Sequence, residues 1–410
     1  MVARRVQTAI RVTLGAGLAA QAATIAGLAV VDHQRKRDRR DVSFPSAPPV
    51  DVSLDEVAEM AVFTRGSDLF DAMIDAIDGA TQNILFETYI WKADAEGRRF
   101  KDALTRAARR GVAVHVVYDW FANLVVPQQF FRFDHRVTVM PHQPWTGLRG
   151  RVVRSPGLNH RKILVVDGRE AFVGGYNIGS LYATQWRDTH LRVRGPAAAE
   201  LENAFVDYWN GARGRRHAAL PQPPARLWHS TFSVVRNVPS VGVYPIRYMY
   251  LEAIDRARDH IWLTHAYLIP DDDLVIALTD AAARGVDVRV IVPAASNHIV
   301  ADWLSRGFYR TLLRGGVRLF LYRGTMVHAK TATIDGIWST IGTANLDSLS
   351  LIGNYEVNAQ VIDEALAAEM EQLFHMDAAQ CRELTLDRWS ERSLIAKVSE
   401  AILAPLRPLL

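Results

Sequence analysis

The stretch GLNHRKILVVDGREAFVGGYN, residues 157–177, places polar residues within runs of apolar ones, and four of these recur later in the chain. They are His160, Lys162, Asp167 and Asn177. The stretch MVHAKTATIDGIWSTIGTAN, residues 326–345, carries the same residue types at the same intervals of two, five and ten residues, at His328, Lys330, Asp335 and Asn345. The chain therefore contains one motif twice.

Each copy of the motif predicts a β-hairpin. Alternate side chains of a strand share a face, so His160 and Lys162 point the same way and Arg161 points the other way. The aspartate of each copy precedes a glycine, which predicts a turn there. The second strand then brings the Asn back beside the His. A duplicated domain explains the repeat, but polar residues in buried strands cost free energy unless they are paired or used. We therefore interpret both copies as functional.

The repeat extends beyond the motif. AARRGVAVHVV and AAARGVDVRVI nearly coincide about 170 residues apart, and helical patterns alternate with apolar strands around both. This alternation predicts two homologous α/β domains, residues 58–216 and 226–380.

Composition narrows the chemistry. The chain has 410 residues, a net charge of +4 and one cysteine, Cys381, so an internal disulfide is excluded. The mild basic excess fits an anionic partner. The sequence contains neither an HExxH motif nor an EF-hand loop. We therefore expect no metal and no cofactor.

Apolar segments near both termini of the sequence suggest contact with a membrane. Residues 12–31 have no charged side chain and predict a membrane helix, with a cleaved signal peptide as the alternative. More basic residues follow than precede it, which favours catalytic domains on the cytoplasmic side. Residues 32–57 predict a basic and Pro-rich linker. The amphipathic tail, residues 381–410, predicts either a helix packed on the second domain or an interfacial membrane helix.

Two acids stand at equal distances from the motif histidines. Asp188 lies 28 residues after His160, and Glu356 lies 28 residues after His328. We expect each acid to bind the Nδ1 atom of the histidine in its own half, leaving Nε2 as nucleophile or base. Surface carboxylates are the alternative. Two histidines, two lysines and two asparagines then suit phosphodiester cleavage through a phosphohistidine, which passes to water or to an alcohol.

At these residues the sequence resembles the phospholipase D superfamily, whose signature is HxK, four residues, Asp, six residues, a Gly-rich pair and Asn. Both copies fit, and the resemblance covers about residues 58–380. Within the superfamily the chain is most similar to bacterial cardiolipin synthases. The stretches ETYIWKADAEGRRF, AYLIPDDDLVIAL, YRGTMVHAKTATIDG and GNYEVN carry this similarity. Two departures are Thr343, where Ser is usual, and Leu349, where Arg is frequent.

The resemblance implies two phospholipase D-like domains with mixed sheets flanked by helices, which form one pseudo-twofold active site. It implies that two phosphatidylglycerol molecules give cardiolipin and glycerol, with His160 as the nucleophile and His328 as the acid and then the base. Asp167 and Asp335 belong to the catalytic signature but are more structural in this family. The resemblance further implies that the phosphate is held by Lys162, Lys330, Asn177 and Asn345. It implies that the two histidines are oriented by Asp188 and Glu356.

Three other functions share parts of this pattern. A phospholipase D would pass the same intermediate to water and release phosphatidic acid. A nuclease of the superfamily would act on nucleic acid, but the apolar segment at 12–31 disfavours it. A binding domain without activity would be expected to lose a His or Lys, and both copies are intact. We therefore expect an anionic phospholipid substrate, a location at the cell membrane and no nucleic-acid partner.

Overall fold

The computed structural model describes residues 21–31, 33–34, 43–54, 57–144, 157–222 and 231–409. Two α/β halves follow one another along the chain, and each is built on an eight-stranded mixed sheet flanked by helices. The predicted fold class of two homologous α/β domains is confirmed.

The first half contains a sheet in the order β1-β2-β9-β7-β6-β3-β4-β5. Its strands are β1 Asp51–Leu54, β2 Ala58–Phe63, β3 Asn83–Thr88, β4 Ala113–Asp119, β5 Val137–His142, β6 Ile163–Val166, β7 Glu170–Gly174, the short β8 Trp186–Arg187 outside that sheet, and β9 His190–Arg194. Its helices are α1 Gly66–Gly79, α2 Ala95–Arg109, α3 Ser180–Thr184 and α4 Ala198–Ala212, with a 3-10 turn at Gln128–Phe131.

The second half contains a sheet in the order β10-β19-β17-β16-β11-β13-β14-β20. Its strands are β10 Phe232–Asn237, β11 His260–His265, β12 Leu268–Ile269, β13 Asp287–Pro293, β14 Arg318–Tyr322, β15 Met326–Val327, β16 Lys330–Ile334, β17 Trp338–Gly342, β18 Leu346–Asp347, β19 Glu356–Ile362 and β20 Cys381–Leu384. Its helices are α5 Pro245–Arg256, α6 Asp272–Ala283, α7 Ile299–Arg314, α8 Ser348–Ile352, α9 Glu364–Ala378, α10 Leu386–Ser390 and α11 Leu394–Leu403, with 3-10 turns at Pro239–Val241 and Ala404–Leu409.

The two sheets match strand for strand apart from one edge strand each. The run β2-β9-β7-β6-β3-β4-β5 corresponds to β10-β19-β17-β16-β11-β13-β14, while β1 and β20 are extra. Both extra strands lie outside the predicted domain limits: β1 belongs to the expected linker 32–57, and β20 opens the expected tail 381–410. The repeated unit is therefore a seven-stranded sheet.

Each motif forms the predicted hairpin at the centre of its sheet. In the first half, Ile163 of β6 pairs with Val173 of β7, and β16 pairs with β17 in the same way in the second half. The turns begin at Asp167 and Asp335, whose φ angles are 51° and 53°. Asp is among the few residue types that tolerate this left-handed region.

The two halves share a core. One apolar cluster contains Val165 and Val173 of the first sheet together with Ile341, Val357 and Ala359 of the second. Helices α4 and α9 contribute buried side chains to the same cluster. Because this apolar surface is removed from water only when the halves meet, its burial stabilises their docking.

The helix at residues 21–31 and the helix α11 both pack on α7. Residues 21–31 are helical, and Leu28 packs against Ile299 and Leu304 of α7 and against Leu403 of α11. Residues 12–20 of the predicted membrane helix lie outside the described residues. Within the described part of the chain, no helix is both long and apolar enough to cross a membrane. The membrane helix thus stays a prediction.

The tail helix α11 has one packed face and one exposed apolar face, so its contact with a membrane stays a prediction. Leu403 and Glu400 are buried, so one face packs on the second half. Leu394 and Ile395 are 75% and 78% exposed, so the other face presents apolar side chains to the surroundings.

Candidate active site

Both motifs line one pocket of about 430 Å³. His160 and Asn177 come from the first half, and His328 and Asn345 come from the second. The remaining lining includes Tyr89, Tyr182, Trp186, Tyr267, Asp347 and the apolar side chains Ile269, Val300, Ala301 and Leu349. The pocket thus has a polar floor built by two repeats and a partly apolar wall.

Backbone pairing between the halves places each histidine. The His160 amide donates to the Tyr355 carbonyl at 3.0 Å, and the Tyr355 amide donates to Leu158 at 2.9 Å. In the symmetric position, β15 pairs with β8 and the His328 amide donates to the Arg187 carbonyl at 2.7 Å. Each motif therefore lies beside the segment that precedes the acid of the opposite half.

This pairing crosses the histidine–acid contacts. His160 Nδ1 lies 3.0 Å from both carboxylate oxygens of Glu356, and His328 Nδ1 lies 2.6 Å from Asp188 Oδ2. Both acids do contact motif histidines, but the expectation that each acid serves its own half is wrong. The equal 28-residue offset reflects the duplication, while the contact is made across the interface. In both pairs the Nδ1 contact leaves Nε2 as the ring nitrogen available for chemistry.

The two acids differ in their surroundings. Burial raises the pKa of Asp188, but the charge of Lys330 and the hydrogen bond with His328 outweigh it and hold the pKa below its ordinary value. Burial raises the pKa of Glu356, and the opposing charge of Lys162 does not compensate for it. Asp188 therefore remains ionised, whereas Glu356 holds a proton more readily.

The two acids also meet different residues of the motif in their own half, a glycine and a threonine. A Cβ atom at Gly175 would stand 2.1 Å from Asp188 Oδ1, so the carboxylate occupies the space of a side chain there. The corresponding residue of the second motif is Thr343, whose hydroxyl donates to Glu356 at 2.5 Å. In the first half a glycine leaves room for the Asp188 carboxylate. In the second half Glu356 instead accepts a hydrogen bond from the Thr343 side chain.

Both motif lysines are buried next to their histidines. Lys162 Nζ donates to the His160 carbonyl at 2.5 Å and lies 5.1 Å from the centre of the Tyr89 ring. Lys330 Nζ donates to the His328 carbonyl. Burial lowers the pKa of Lys162 to about 7 and that of Lys330 to about 8. It also lowers the pKa of both motif histidines, which favours the neutral form of both rings.

The asparagines present amide groups to the pocket. Asn177 Oδ1 accepts a hydrogen bond from the Ile90 amide at 3.1 Å, which leaves its NH₂ group for a ligand. Asn345 Oδ1 is buried and has no hydrogen-bond partner within the described part of the chain. These positions fit contacts to a bound phosphate.

The signature aspartates lie elsewhere, at the hairpin turns. Asp167 accepts hydrogen bonds from the backbone amides of residues 81–83, and Asp335 accepts them from residues 258–260, at 2.8–2.9 Å. Neither carboxylate lines the pocket. Each aspartate binds the loop that leads into the neighbouring strand, β3 in the first half and β11 in the second. The signature aspartates therefore lie apart from the other motif residues.

Comparisons with known proteins agree with this geometry. A family profile described as "Cardiolipin synthase, PLD-like domain" matches residues 73–209 and 250–378, one segment in each half. The chain belongs to this family. It is 30% identical to a cardiolipin synthase of Clostridium perfringens, over 86% of this chain and 77% of that protein, and 32% identical to one of Listeria monocytogenes, over 86% and 75%.

A solved structure supports the fold. The phosphatidylserine synthase of Haemophilus influenzae aligns with 92% of this chain and 96% of its own, with a TM-score of 0.67 and 14% sequence identity. At that identity the likeness concerns the fold alone.

In this member of the cardiolipin synthase family, sequence reasoning missed a polar network under His160. Glu87 Oε1 accepts from Asn159 Nδ2 at 2.6 Å, and Glu87 Oε2 accepts from the Arg161 guanidinium at 2.6 Å. Asp119 accepts from the Asn159 backbone amide at 2.8 Å. A glutamate inside the apolar strand ILFETYIW was the available signal, because a buried charge requires a partner.

Proposed function

We propose that this protein is a cardiolipin synthase that transfers a phosphatidyl group through a phosphohistidine at His160. The observation that carries the proposal is the pair of histidines from opposite halves in one pocket, each with Nδ1 against a buried carboxylate. Such a pair supplies a nucleophile and a proton donor to the two sides of one phosphodiester.

In the first step, Nε2 of His160 attacks the phosphorus of one phosphatidylglycerol, and the bond to the glycerol oxygen breaks. The negative charge of the bound phosphodiester raises the pKa of His328, which enters this step as an imidazolium, gives its Nε2 proton to that oxygen and becomes neutral as glycerol leaves. In the second step, His328 takes the proton from a terminal hydroxyl of another phosphatidylglycerol. That oxygen attacks phosphorus, the bond to His160 breaks, and cardiolipin forms.

The assignment of roles is supported by the two carboxylates. An acid–base histidine becomes an imidazolium, which an ionised partner stabilises, and Asp188 beside His328 is the acid whose pKa is held low. A nucleophilic histidine is needed in its neutral form, and His160 lies beside Glu356, whose raised pKa makes it the weaker partner for an imidazolium. The lysine and asparagine side chains would stabilise the negative charge on the phosphorus oxygens.

A membrane location is part of the proposal. The exposed apolar side chains Leu394, Ile395 and Val398 lie on α11, which packs next to α7, and α7 forms a wall of the pocket. We propose that this face rests on the lipid surface from which the substrate enters. Replacing Leu394 and Ile395 by aspartate should reduce sedimentation with phosphatidylglycerol vesicles, whereas replacing the exposed Ile276 of α6 should leave it unchanged.

The decisive test uses purified protein and phosphatidylglycerol labelled in the phosphate. Cardiolipin and free glycerol are the expected products. Phosphatidic acid without cardiolipin would instead identify a phospholipase D that passes the intermediate to water. Cleavage of DNA with no lipid turnover would identify a nuclease.

A further inference from the structure

A second pocket lies behind the catalytic pocket and is lined by four arginines. Its volume is about 190 Å³, and Arg306, Arg382, Arg388 and Arg392 contribute to its wall. The one carboxylate that also lines it is Asp302. Trp389 and Tyr309 supply part of the remaining surface. We call it the arginine pocket.

The two pockets share walls. In the segment 266–269, Ala266 and Leu268 line the arginine pocket, whereas Tyr267 and Ile269 line the catalytic pocket, as expected for alternate residues of an extended chain. Helix α7 divides its residues in the same manner, with Ala301 towards the catalytic pocket. The pockets are therefore neighbours on opposite faces of one strand and one helix.

The charge of the arginine pocket is only partly compensated by acidic side chains. Arg392 pairs with Glu400 at 2.9 Å and stacks on Trp389, with 4.2 Å between its guanidinium carbon and the ring centre. Arg306 stacks on Trp303 at 4.6 Å. The side chains of Arg382 and Arg388 have no hydrogen bond or ion pair with any residue in the described part of the chain.

Such an arrangement suits an anionic ligand. Arg382 and Arg388 are exposed residues, so their guanidinium groups are accessible from solvent, and they keep their charge at any physiological pH. The oxygens of a phosphate group match the paired N–H donors of arginine. The volume of about 190 Å³ favours a single phosphate group over an extended polyanion.

We propose that the arginine pocket is a second phosphate-binding site, separate from the catalytic pocket. Its ligand is the phosphate group of an anionic lipid headgroup or free phosphate. The shared wall means that an occupant of the arginine pocket contacts the same strand and helix that shape the catalytic pocket. The proposal does not rest on which reaction the catalytic pocket performs.

The test is calorimetric titration of the full chain in detergent with inorganic phosphate and, separately, with short-chain phosphatidylglycerol. His160→Ala is the background, because without the nucleophile no covalent intermediate forms and lipid is not consumed. Two binding events are expected. The variant Arg382→Gln/Arg388→Gln should weaken one of them about tenfold or more, since it removes two charge-assisted donors.

The matched control is Arg310→Gln/Arg314→Gln, which makes the same change of charge on the exposed face of α7 outside the pocket. It should keep both events. A lipid event that persists in excess phosphate identifies the lipid headgroup as the ligand, and one displaced by phosphate identifies free phosphate. A single event in the background protein, or equal losses in the two double variants, would overturn the proposal.

Discussion

The residues that flank His160 belong to a buried network of charges, whereas the residues that flank His328 are apolar. In the first half, Glu87 binds Asn159 and Arg161, which flank the histidine, and Asp119 binds the Asn159 backbone. All four side chains are buried. The network ties the motif strand of the first half to β3 and β4 of its sheet.

The second half has no such charges at the same positions. Val327 and Ala329 flank His328, and Pro293 ends β13 where Asp119 ends β4. Thr264 takes the place of Glu87, as the equivalent aspartate contacts at residues 81–83 and 258–260 show. The two repeats thus share the motif histidine and asparagine that face the pocket, and the motif lysine, but differ in the residues behind them. Behind the second motif a buried charge comes from another position, since Arg187, which pairs with Val327, forms an ion pair with Asp377 at 2.7 Å.

Removing each histidine in turn tests whether the two halves have different catalytic roles, and this should have the largest effect. His160→Ala and His328→Ala should each reduce transfer by on the order of 10²- to 10⁴-fold. The two variants should differ in the trapped intermediate: with phosphate-labelled lipid, denatured His328→Ala protein should retain an acid-labile label, and His160→Ala should carry none. Label on His160→Ala alone would reverse the roles of the halves.

Replacing the carboxylates tests the crossed contacts. Asp188→Asn should lower kcat on the order of 10²-fold, because the imidazolium of His328 loses its charged partner. Glu356→Gln should have a smaller effect, about tenfold, because Glu356 already holds a proton readily. Equal losses would mean that the halves are electrostatically alike.

The lysines predict the alkaline side of the pH profile. Their pKa values of about 7 and 8 mean that each loses its positive charge as pH rises through that range. The rate constant kcat/KM, which reports the free enzyme, should therefore fall above about pH 7. A bound phosphodiester favours the charged lysines, so kcat should fall only at higher pH. Coincident profiles would contradict this.

The charged network predicts a difference in stability. Arg161→Ala breaks a buried ion pair and should lower the free energy of unfolding by about 3–5 kcal/mol. Ala329→Gly, at the equivalent place in the second half, should cost only about 1 kcal/mol. Denaturant titration gives both values. Comparable losses would show that the rear side of the second half is as sensitive as that of the first.

The smallest expected effect concerns the signature aspartates. Asp167→Ala and Asp335→Ala each remove an acceptor of three backbone hydrogen bonds and should cost about 1–3 kcal/mol of unfolding free energy. Because neither lines the pocket, kcat should stay close to that of the unchanged protein at temperatures where both variants are folded. A large fall in kcat for a folded variant would show that the aspartate contributes to catalysis.

The sequence predicted the hairpins and the repeat because both rest on local patterns. The alternation around His160 and Lys162, and the Asp-Gly pair at each turn, determine the backbone within a few residues. The extra strands β1 and β20 were missed, because edge strands depend on pairing with distant residues rather than on their own pattern.

Partner choice could not be read from spacing. A constant offset between histidine and acid fits a contact within one half and a contact across two halves equally well. The choice depends on how Tyr355 and Arg187 pair with the opposite motif, and that pairing is set by the docking of the sheets. Likewise, the partner of Arg161 lies 74 residues away on another strand.

The exchanged histidine contacts make the two halves mutually dependent. A substitution of Asp188 in the first half acts on His328 in the second, and a substitution of Glu356 acts on His160. Each repeat thus holds a residue that positions the histidine of the other. A half expressed alone would present a histidine without its acid and an acid without its histidine. Mixing the two halves as separate chains should therefore restore turnover only to the extent that they bind each other, so catalysis itself would measure their docking.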